Sequence, residues 1–544
     1  MHRRTFLKIA SAGSAAAMID FREILATQRA PAEQHFRLHP FIEAHPESVF
    51  VMKTTVADKL NIEEKLQAGR DFAARVFSMS DSGGIPLTHR IALKPNLTCT
   101  GGTGGSADGM GIRTDMPFLE GLLEGMKDIG IPMDKVHMRE GNWLGDGFCP
   151  QESLVGGTAG IASRTGIHLL DLPSGRSMQE VTFETLEDEE VQWRDCPDGV
   201  IFKRIGYIHP FNMDETWILN IAKFKSHSMG LTLCVKNLQG TVVSPLVRFC
   251  EGLDATSLHS TEVRAHFHED LETRVQTLHA AHLAAKFPRW DRPGRGASGG
   301  FGMETWAQRT CDSHSVMGPG FHVIEGLYGR NGDGFNAGPA AGNRPEDFMS
   351  NVLIFGTDAF LVDIIGHWLG GHEPGNFGLF HIAKERGLLS GLNPADIPVY
   401  LWEDDEATLT PLAEFQRTPL VCPYLARDYN GGTEAKYHLV DEPFDYGTVS
   451  AGTVPKPGSA VLGQNYENPV RTSTMIEYRM QKAGRASIEL FDAGGRRIDI
   501  ITDGWRRAGT HMAIWNCGRT PAGTYFYRFT ANGFIETKQL VVLR

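Results

Sequence analysis

Lysine, histidine and asparagine side chains follow a series of predicted buried strands in the middle of the chain. We predict these strands at residues 90–94, 135–139, 216–222, 321–324 and 351–355. Ammonium and amide groups gathered around one cleft favour phosphate or carboxylate groups, so we expect a small anionic ligand there. The candidate residues, at the strand ends or shortly after them, are Lys94, Asn96, Glu140, Lys223, Lys225, Ser226, His227, Lys236, Asn237, Gly240, Glu325 and Asp333.

Within this set, Lys225, His227 and Lys236 are the predicted catalytic residues, and the others are predicted to bind the ligand. An imidazole near its ordinary pKa can act as an acid, a base or a metal ligand, and His227 could take any of these roles. Gly230 and Gly240 would let backbone amides approach the ligand.

The acidic residues of the set have two alternative roles. These residues are Glu140, Glu325 and Asp333. They could partner His227, or they could neutralise the lysines. A lysine at a strand end is also commonly a solvated cap, so a purely structural role for the set is the alternative.

A second polar group lies between residues 259 and 282. It includes the motif His266-x-His268-Glu269 and two histidines three residues apart on a predicted helix. Imidazole nitrogens are common metal ligands, so His266, His268, His279 and His282 are candidates for a metal whose identity stays open. A solvated helical insertion is the alternative. Residues 291–302, rich in Gly and Arg, are predicted to be a flexible loop that could act as a lid.

Helices alternate with the strands that must position these residues. Apolar residues recur at helical spacing over Met116–Ile129, which ends at Gly130, and over Asp358–Leu369, which Gly370-Gly371 closes. This alternation predicts an α/β domain over residues 46–445, with a mostly parallel sheet and helices on both faces. In such sheets the ligand lies at the carboxyl ends of the strands.

Four blocks of this domain resemble a known family. Lys-Pro-Asn (94–96), Lys-Phe-Lys-Ser-His (223–227), Val-Lys-Asn-Leu-Gln-Gly (235–240) and Gly-Thr-Asp-Ala-Phe-Leu-Val-Asp (356–363) are similar to the domain of unknown function 362 family. The resemblance spans roughly residues 49–402 and implies no particular reaction or substrate. Many relatives carry a ferredoxin segment with clustered cysteines. The eight cysteines here are scattered, so we expect no ferredoxin-type iron–sulfur cluster, and any other cofactor stays unknown.

The first residues predict export. Arg3-Arg4-Thr5-Phe6-Leu7-Lys8, followed by a weakly apolar run to Ile19, resembles a twin-arginine signal peptide, which we place at residues 1–30. The resemblance implies the twin-arginine translocase as a partner, and a destination in the periplasm, at the cell surface or outside the cell. A disordered basic tail is the alternative. No other stretch reaches the roughly 18 apolar residues of a membrane helix, so we expect no membrane span in the mature protein.

The C-terminal part has a different pattern. After a Gly- and Pro-containing linker at residues 446–459, short alternating strands separated by Gly-containing turns, one of them expected at Asp503-Gly504, predict an immunoglobulin-like β-sandwich at residues 460–544. Gln464–Pro469, Leu490–Arg496 and Ala522–Tyr527 resemble sorting domains of the type IX secretion system, which implies that machinery as a partner. A flagellar-hook-cap-type module without a sorting role, or a sugar-binding or purely structural sandwich, is the alternative.

The net charge and the context of one serine motif argue against two classes of function. A formal net charge of −12 argues against a nucleic-acid partner, which would need a basic face. Gly296–Gly300 matches Gly-x-Ser-x-Gly around Ser298, but no apolar strand precedes it, so we do not expect a nucleophile elbow. The sequence therefore predicts an extracytoplasmic enzyme with a Lys/His/Asn-lined cleft for a small anionic substrate, and leaves open whether the enzyme depends on a cofactor or metal. A non-catalytic ligand-capture or surface-display protein is the alternative.

Overall fold

The computed structural model describes seventeen stretches of the chain. The predicted signal peptide, nearly all of the predicted linker, Asp333 and Ser298 lie outside them. The described residues are 34–81, 83–98, 109–141, 155–169, 188–227, 229–243, 264–296, 299–332, 344–403, 406–422, 442–447, 461–465, 468–480, 484–506, 509–518, 520–531 and 534–543.

Fourteen described strands precede the C-terminal region, and nine of them form one large sheet in the order β14-β13-β2-β12-β11-β9-β5-β6, with β10 paired to β9. The strands are β1 (His35–Leu38), β2 (Val49–Lys53), β3 (Phe77–Ser80), β4 (Ile85–Pro86), β5 (Arg90–Pro95), β6 (Val136–Met138), β7 (Val191–Asp195), β8 (Arg204–Ile208), β9 (Thr216–His227), β10 (Gly230–Thr232), β11 (Gly320–Asn331), β12 (Glu346–Gly356), β13 (Val399–Glu403) and β14 (Glu406–Leu409).

Helices cover both faces of this sheet. One face buries α2 and α3 with side chains such as Phe72 and Leu119, and the other buries α7, α8 and α9 with side chains such as Trp306 and Ile364. The described helices are α1 (Pro40–Ala44), α2 (Ile62–Val76), α3 (Met116–Ile129), α4 (Gly157–Thr165), α5 (Cys234–Asn237), α6 (Leu271–Ala284), α7 (Gly300–Ser315), α8 (Ala359–Leu369) and α9 (Gly378–Glu385).

The sequence itself sets the ends of two of these helices. The side chain of Asp115 accepts the N–H of Phe118 at the start of α3, and α3 ends at Gly130, whose φ of 107° is left-handed. Asp358 accepts the N–H groups of Phe360 and Leu361 at the start of α8. Both helices were predicted with these ends, and both predictions are confirmed.

The large sheet is mixed, which refines the prediction of a mostly parallel one. Strands β6, β5, β9 and β11 run parallel to their neighbours in that order, and β2 is parallel to β13. The pairings β10–β9, β11–β12, β12–β2 and β13–β14 are antiparallel. The α/β fold class is confirmed, and its parallel half contains the strands that were predicted to carry the site.

Strands β9 and β11 extend beyond their predicted ends. Strand β9 continues from Ala222 to His227 and β11 from Ile324 to Asn331, so Lys223–His227 and Glu325 lie within strands, although they were expected in loops. The loop prediction was wrong because we took the charged lysines to mark the end of a strand. Lys223 and Glu325 are directly paired across β9 and β11, so the opposite charges neutralise each other and both strands continue through buried space.

The C-terminal region forms a β-sandwich, as predicted. A three-stranded sheet (β15-β16-β19) and a four-stranded sheet (β18-β17-β20-β21) enclose one core. Asp503-Gly504, expected in a turn, lies inside β18, so that prediction was wrong. The strands are β15 (Val461–Leu462), β16 (Ser473–Met480), β17 (Gly484–Asp492), β18 (Arg497–Arg506), β19 (Gly509–Asn516), β20 (Gly523–Ala531) and β21 (Phe534–Val542).

Residues of the sorting-domain resemblance hold the sandwich together. The buried hydroxyl of Tyr527 donates to the carbonyl of Gly463 at 2.8 Å and accepts the N–H of Asn465 at 2.9 Å. The side chain of Asn465 in turn donates to the hydroxyl of Thr474 at 3.0 Å. These contacts fix the first segment of the sandwich to its centre.

Two further observations concern membranes and cysteines. No helix within the described stretches is long and apolar enough to cross a membrane. Five cysteines are described, and all five are buried free thiols.

Candidate functional site

The parallel half of the sheet brings the predicted residues to one edge. Strands β5, β6, β9 and β11 point the same way, so their carboxyl ends meet there. Lys94 lies near the end of β5, Glu140 follows β6, and His227 ends β9. The turn after β9 leads through β10 into α5, which carries Lys236 and Asn237. We call this edge the lysine site.

The ammonium of Lys94 contacts three oxygen atoms. Its Nζ lies 2.7 Å from Oε2 of Glu140, 2.7 Å from the carbonyl oxygen of Pro95 and 3.2 Å from Oδ1 of Asn237. Burial lowers the pKa of Lys94, while the carboxylate of Glu140 opposes that shift and the nearby ammonium of Lys236 adds to it. Glu140 thus neutralises a lysine, which is one of its two predicted roles.

Gly240 makes room for this pair. A Cβ at residue 240 would lie 2.2 Å from Oε1 of Glu140 and 2.6 Å from Cε of Lys94. The carbonyl of Gly240 accepts the N–H of Gly141 at 2.8 Å. We predicted that Gly230 and Gly240 let backbone amides approach the ligand. In the structure, the lack of a Cβ at each position makes room for neighbouring side chains. At Gly230 the neighbour is Phe377, whose ring would lie 2.7 Å from a Cβ.

Lys225 crosses to the segment that follows β5. Its Nζ donates to the carbonyl of Ile112 at 2.6 Å and to Oδ1 of Asn96 at 3.3 Å. The backbone N–H of Asn96 in turn donates to the hydroxyl of Thr114. These bonds tie the strand ends of β5 and β9 to the turn at residues 110–112. Asn96 therefore lies beside Lys225, as expected.

Ser226 faces the end of β11. Its hydroxyl lies 3.1 Å from the carbonyl oxygen of Arg330 and 2.9 Å from that of Gly332, and it accepts the N–H of Gly332 at 2.6 Å. The side chain is completely buried. Ser226 therefore anchors the start of the segment that leads to residue 333.

His227 is held as a neutral imidazole. Burial lowers its pKa well below the ordinary value, and the ammonium groups of Lys236 and Lys225 lower it further. The backbone N–H of Met229 donates to its Nδ1 at 3.2 Å. Because Nδ1 accepts this bond, the ring proton lies on Nε2.

Lys236 differs from the other lysines of the site. Its side chain is only half-buried, and within the described stretches it has neither a hydrogen-bond acceptor nor an acidic partner. Its ammonium is close enough to lower the pKa of both Lys94 and His227. Lys236 therefore brings to the lysine site an ammonium without a counter-ion among the described residues, next to the neutral imidazole of His227 and the Lys94–Glu140 pair.

Lys223 and Glu325 lie in a deeper layer. Their charged atoms are 2.7 and 3.0 Å apart, and neither side chain is exposed. The Lys223 ammonium also lies 3.8 Å from the ring centre of Tyr328. Burial raises the pKa of Glu325, although the charge of Lys223 opposes this. Lys223 and Glu325, both predicted to bind the ligand, instead form an ion pair with each other beneath the site.

This deeper layer continues through residues that the sequence analysis did not single out. Nζ of Lys65 lies 2.8 Å from Oδ2 of Asp115, both fully buried, and the hydroxyl of Tyr328 donates to the same carboxylate. The backbone N–H of Asp115 donates to Glu325 at 2.9 Å. Asp115 is the N-cap of α3, and no spacing in the sequence links Lys65 to it.

Asp363 is a further residue for which the sequence analysis predicted no role at the site. Its carboxylate accepts the N–H groups of Cys234 and Val235 at 2.7 and 2.9 Å, at the start of α5. Asn220 supports the end of the same helix, because its Oδ1 accepts the side-chain amide of Asn237 at 2.8 Å. Asp363 closes one of the family-like blocks, which was the available signal.

The four histidines proposed for metal binding do not converge. The ring of His266 stacks on Trp193 at 4.3 Å, and that of His279 packs edge-on against Phe301 at 5.4 Å. The backbone of His268 pairs with Ile201. No group of three or more metal-binding side chains is close together in the described part of the chain.

His282 instead bridges two carboxylates. Its Nδ1 lies 2.7 Å from Oε2 of Glu304, and its Nε2 lies 2.8 Å from Oε2 of Glu385. Burial by itself lowers the pKa of His282, but the hydrogen bonds and charges of the two glutamates outweigh it and raise the pKa to about 9. At neutral pH this imidazole is therefore a charged link between helices α6, α7 and α9.

The fold and the site define an α/β protein with a lysine-lined edge at its parallel strands. The family model described as domain of unknown function (DUF362) matches residues 91–367, just over half of the 544 residues. The chain belongs to this family, which confirms the resemblance. No curated protein matches the chain.

Proposed function

We propose that the protein binds a small anionic substrate at the lysine site and acts on it as an enzyme. The observation that carries this proposal is Lys236, a half-buried cation without an acidic partner among the described residues. An uncompensated ammonium beside buried polar groups is stabilised by an anionic ligand. Phosphate and carboxylate groups are the chemistry that this site favours.

The neighbouring residues have distinct parts in this proposal. Lys236 contacts the anion, while Lys94 and Glu140 form a buried, net-neutral pair beneath it. Lys225 fixes the position of the 110–112 turn by its bond to Ile112. The Lys223–Glu325 pair joins β9 to β11 at the last position before their register shifts.

His227 acts in this proposal as a hydrogen-bond donor. Its Nδ1 accepts the N–H of Met229 and its pKa is low, so the ring is a poor base and carries its proton on Nε2. A neutral imidazole can stabilise negative charge that develops on a substrate oxygen, because it donates a hydrogen bond without first binding a proton. The proposal thus gives His227 a role besides the acid, base and metal-ligand roles that the sequence left open.

Titration with inorganic phosphate and with succinate tests the binding step. At low ionic strength, where charge effects are largest, we expect Lys236→Gln to weaken binding about tenfold or more, since charge-assisted hydrogen bonds contribute about 1.5–3 kcal/mol. The matched control is Lys53→Gln, which removes an exposed lysine whose Nζ is 3.9 Å from Glu403. Equal affinity in both variants would contradict the proposal.

Turnover separates the enzyme from its alternative, a protein that only captures its ligand. A panel of phosphate esters and carboxylic acids can be incubated with the protein and followed by ³¹P and ¹H NMR. Conversion that His227→Gln abolishes while binding persists supports the enzyme. Saturable binding without conversion of any compound supports ligand capture.

We also propose that the protein is exported through the twin-arginine pathway and sorted by its C-terminal sandwich. The support is the Arg3-Arg4 motif and the resemblance of the sandwich segments to sorting domains. Replacing both arginines by lysine should leave the protein in the cytoplasm. Deleting residues 459–544 should stop delivery to the cell surface, and normal delivery of the truncated chain would rule out a sorting role.

A further inference from the structure

We propose that three histidines form an acid-sensitive clasp at the outer edge of the large sheet, which holds neighbouring segments on β6 at neutral pH and releases them in acid. The three rings come from different parts of the chain. His137 lies on β6, His168 follows α4, and His209 follows β8. We call this group the histidine clasp.

The rings of the histidine clasp are stacked on one another. The rings of His137 and His168 are nearly parallel, with their centres 4.4 Å apart and their planes at 12°. The ring of His209 meets that of His137 edge-on, at 5.7 Å between centres. Three positively charged rings at these distances would repel one another, so the arrangement favours neutral imidazoles.

The clasp covers β6, which ends the strand order of the large sheet. The N–H of His168 donates to the carbonyl of Val136 at 2.8 Å, and the N–H of Met138 donates to the carbonyl of His168 at 2.9 Å. The Nε of Arg139 donates to the carbonyl of His209, also at 2.8 Å. If the clasp opened, β6 would lose these partners and become an open sheet edge.

The surroundings of two of these rings do not accommodate an added proton. Nδ1 of His137 and Nδ1 of His209 are buried and have no hydrogen-bond partner in the described part of the chain. Both ring nitrogens of an imidazolium are donors, so each of these rings, once protonated, would have a buried N–H without an acceptor. Burial, together with the guanidinium groups of Arg139 and Arg90, lowers the pKa of His137 to about 3 and that of His209 to about 4.

The acidic residues near the clasp contact it through their backbone carbonyls. Nε2 of His168 lies 3.0 Å from the carbonyl oxygen of Asp134, whose side chain is 71% exposed and 3.8 Å from Nζ of Lys135. The carbonyl of Glu190 accepts the N–H of His209. Below pH 6.5 an opened clasp therefore binds protons that the closed clasp does not, so each further fall in pH favours opening until the pH reaches about 3.

Opening of the clasp would also affect the lysine site. Glu140 follows His137 by three residues, and its carboxylate is the partner of Lys94. The N–H of Arg139, between them, donates to the carbonyl of Leu93 at 2.9 Å. Acid would therefore displace Glu140 and weaken anion binding, a consequence that rests on the proposed function.

Hydrogen–deuterium exchange of the full protein between pH 7 and pH 5, followed by mass spectrometry, tests the clasp. After correction for the intrinsic exchange rate, peptides that contain Met138 or His168 should lose protection about tenfold or more, since each ring can change the opening equilibrium by up to about tenfold per pH unit. Peptides from β12 should keep their protection. His137→Phe keeps an aromatic ring that does not titrate, so this variant should lose much less protection in acid. His209→Phe is a second, independent variant with the same expected effect.

A matched control replaces a stacked histidine near the other end of the sheet. His45 stacks on Phe41 at 4.1 Å and lies 5.4 Å from the ring of Tyr400 on β13, so His45→Phe should lose protection in acid as the unmodified protein does. The proposal is overturned if the protection of the Met138 and His168 peptides is the same at pH 7 and pH 5. It is also overturned if His137→Phe and His209→Phe both lose protection as strongly as the unmodified protein.

Sulfate, whose charge stays constant over this pH range, provides a separate readout at the lysine site. Its affinity should fall from pH 7 to pH 5 in the unmodified protein and fall less in His137→Phe. If sulfate does not bind at any pH, that result contradicts the proposed function, whereas the exchange measurements alone decide on the clasp.

Discussion

The carboxylate of Asp363 accepts the backbone N–H of Cys234 at 2.7 Å, and this contact joins helix α8 to the start of α5. Lys236 lies two residues further along α5. The position of the uncompensated ammonium therefore depends on a buried carboxylate on another helix. Burial raises the pKa of Asp363, and the N–H bonds from Val235 and Cys234 oppose that rise.

Replacing Asp363 by alanine should weaken both the fold and anion binding. Two buried N–H groups would lose their acceptor, which costs about 1–3 kcal/mol each, and α5 would lose its fixed start. We expect a lower free energy of unfolding in urea and a lower phosphate affinity. Asp358→Ala is the matched control: it removes the N-cap of α8, so it should lower stability by about 1 kcal/mol with little effect on affinity.

Removing the carboxylate of Glu140 should destabilise the protein more than removing the whole pair. Glu140→Gln leaves the buried ammonium of Lys94 without its counter-ion, and breaking a buried pair in this way costs about 3–5 kcal/mol. The double variant Lys94→Met/Glu140→Gln removes the unpaired charge and should recover part of that loss. Urea unfolding measures both, and a double variant less stable than Glu140→Gln would contradict the role assigned to the pair.

Adding one methyl group at Gly240 should disturb the same pair. Gly240→Ala places a Cβ within 2.2 Å of Glu140 and 2.6 Å of Lys94, and such overpacking costs about 1–3 kcal/mol. At Gly391 a Cβ would meet nothing within 4 Å. Gly391→Ala is therefore expected to be close to neutral, and thermal unfolding of the two variants makes the comparison. Equal melting temperatures would show that the Lys94–Glu140 pair has room to move.

His282 should make stability fall as pH rises above neutral. Its pKa is about 6.5 in the unfolded chain and about 9 in the fold. The folded state therefore holds the proton more tightly, and the stabilisation is complete below pH 6.5 and is lost as pH rises through 9. Its upper bound is about 3 kcal/mol. Urea unfolding from pH 6.5 to 9.5 should show this decrease, and His282→Gln should be less stable at pH 6.5 with a flatter profile.

Much of the fold could be predicted because its signals are local. The caps at Asp358 and Gly130 and the alternation of strands and helices follow from a few neighbouring residues. The end of β9 could not be predicted in this way, because Lys223 is neutralised by Glu325, 102 residues later in the chain. Strand β18 was missed because Asp503-Gly504 resembles a turn when its partner strand is unknown.

The sequence predicted which residues gather at the lysine site. The role of each residue could not be predicted, because it depends on contacts with residues far away in the sequence. The parallel strands bring Lys94, His227 and Lys236 to one edge, as the strand-end pattern indicated. Which lysine has an acidic partner depends on residues far along the chain, such as Glu140 for Lys94. Lys65 carries no local signal at all, because its burial depends on Asp115.

The most direct test of the lysine site observes Lys236 itself while an anion is added. Lysine amines carrying ¹³C-methyl groups give separate NMR signals, and inorganic phosphate can be titrated against them at low ionic strength. We expect the Lys236 signal, assigned by its loss in Lys236→Gln, to shift saturably while that of exposed Lys53 shifts little. A Lys236 signal that stays unchanged, or that follows Lys53 throughout the titration, would contradict an anion site at this edge of the sheet.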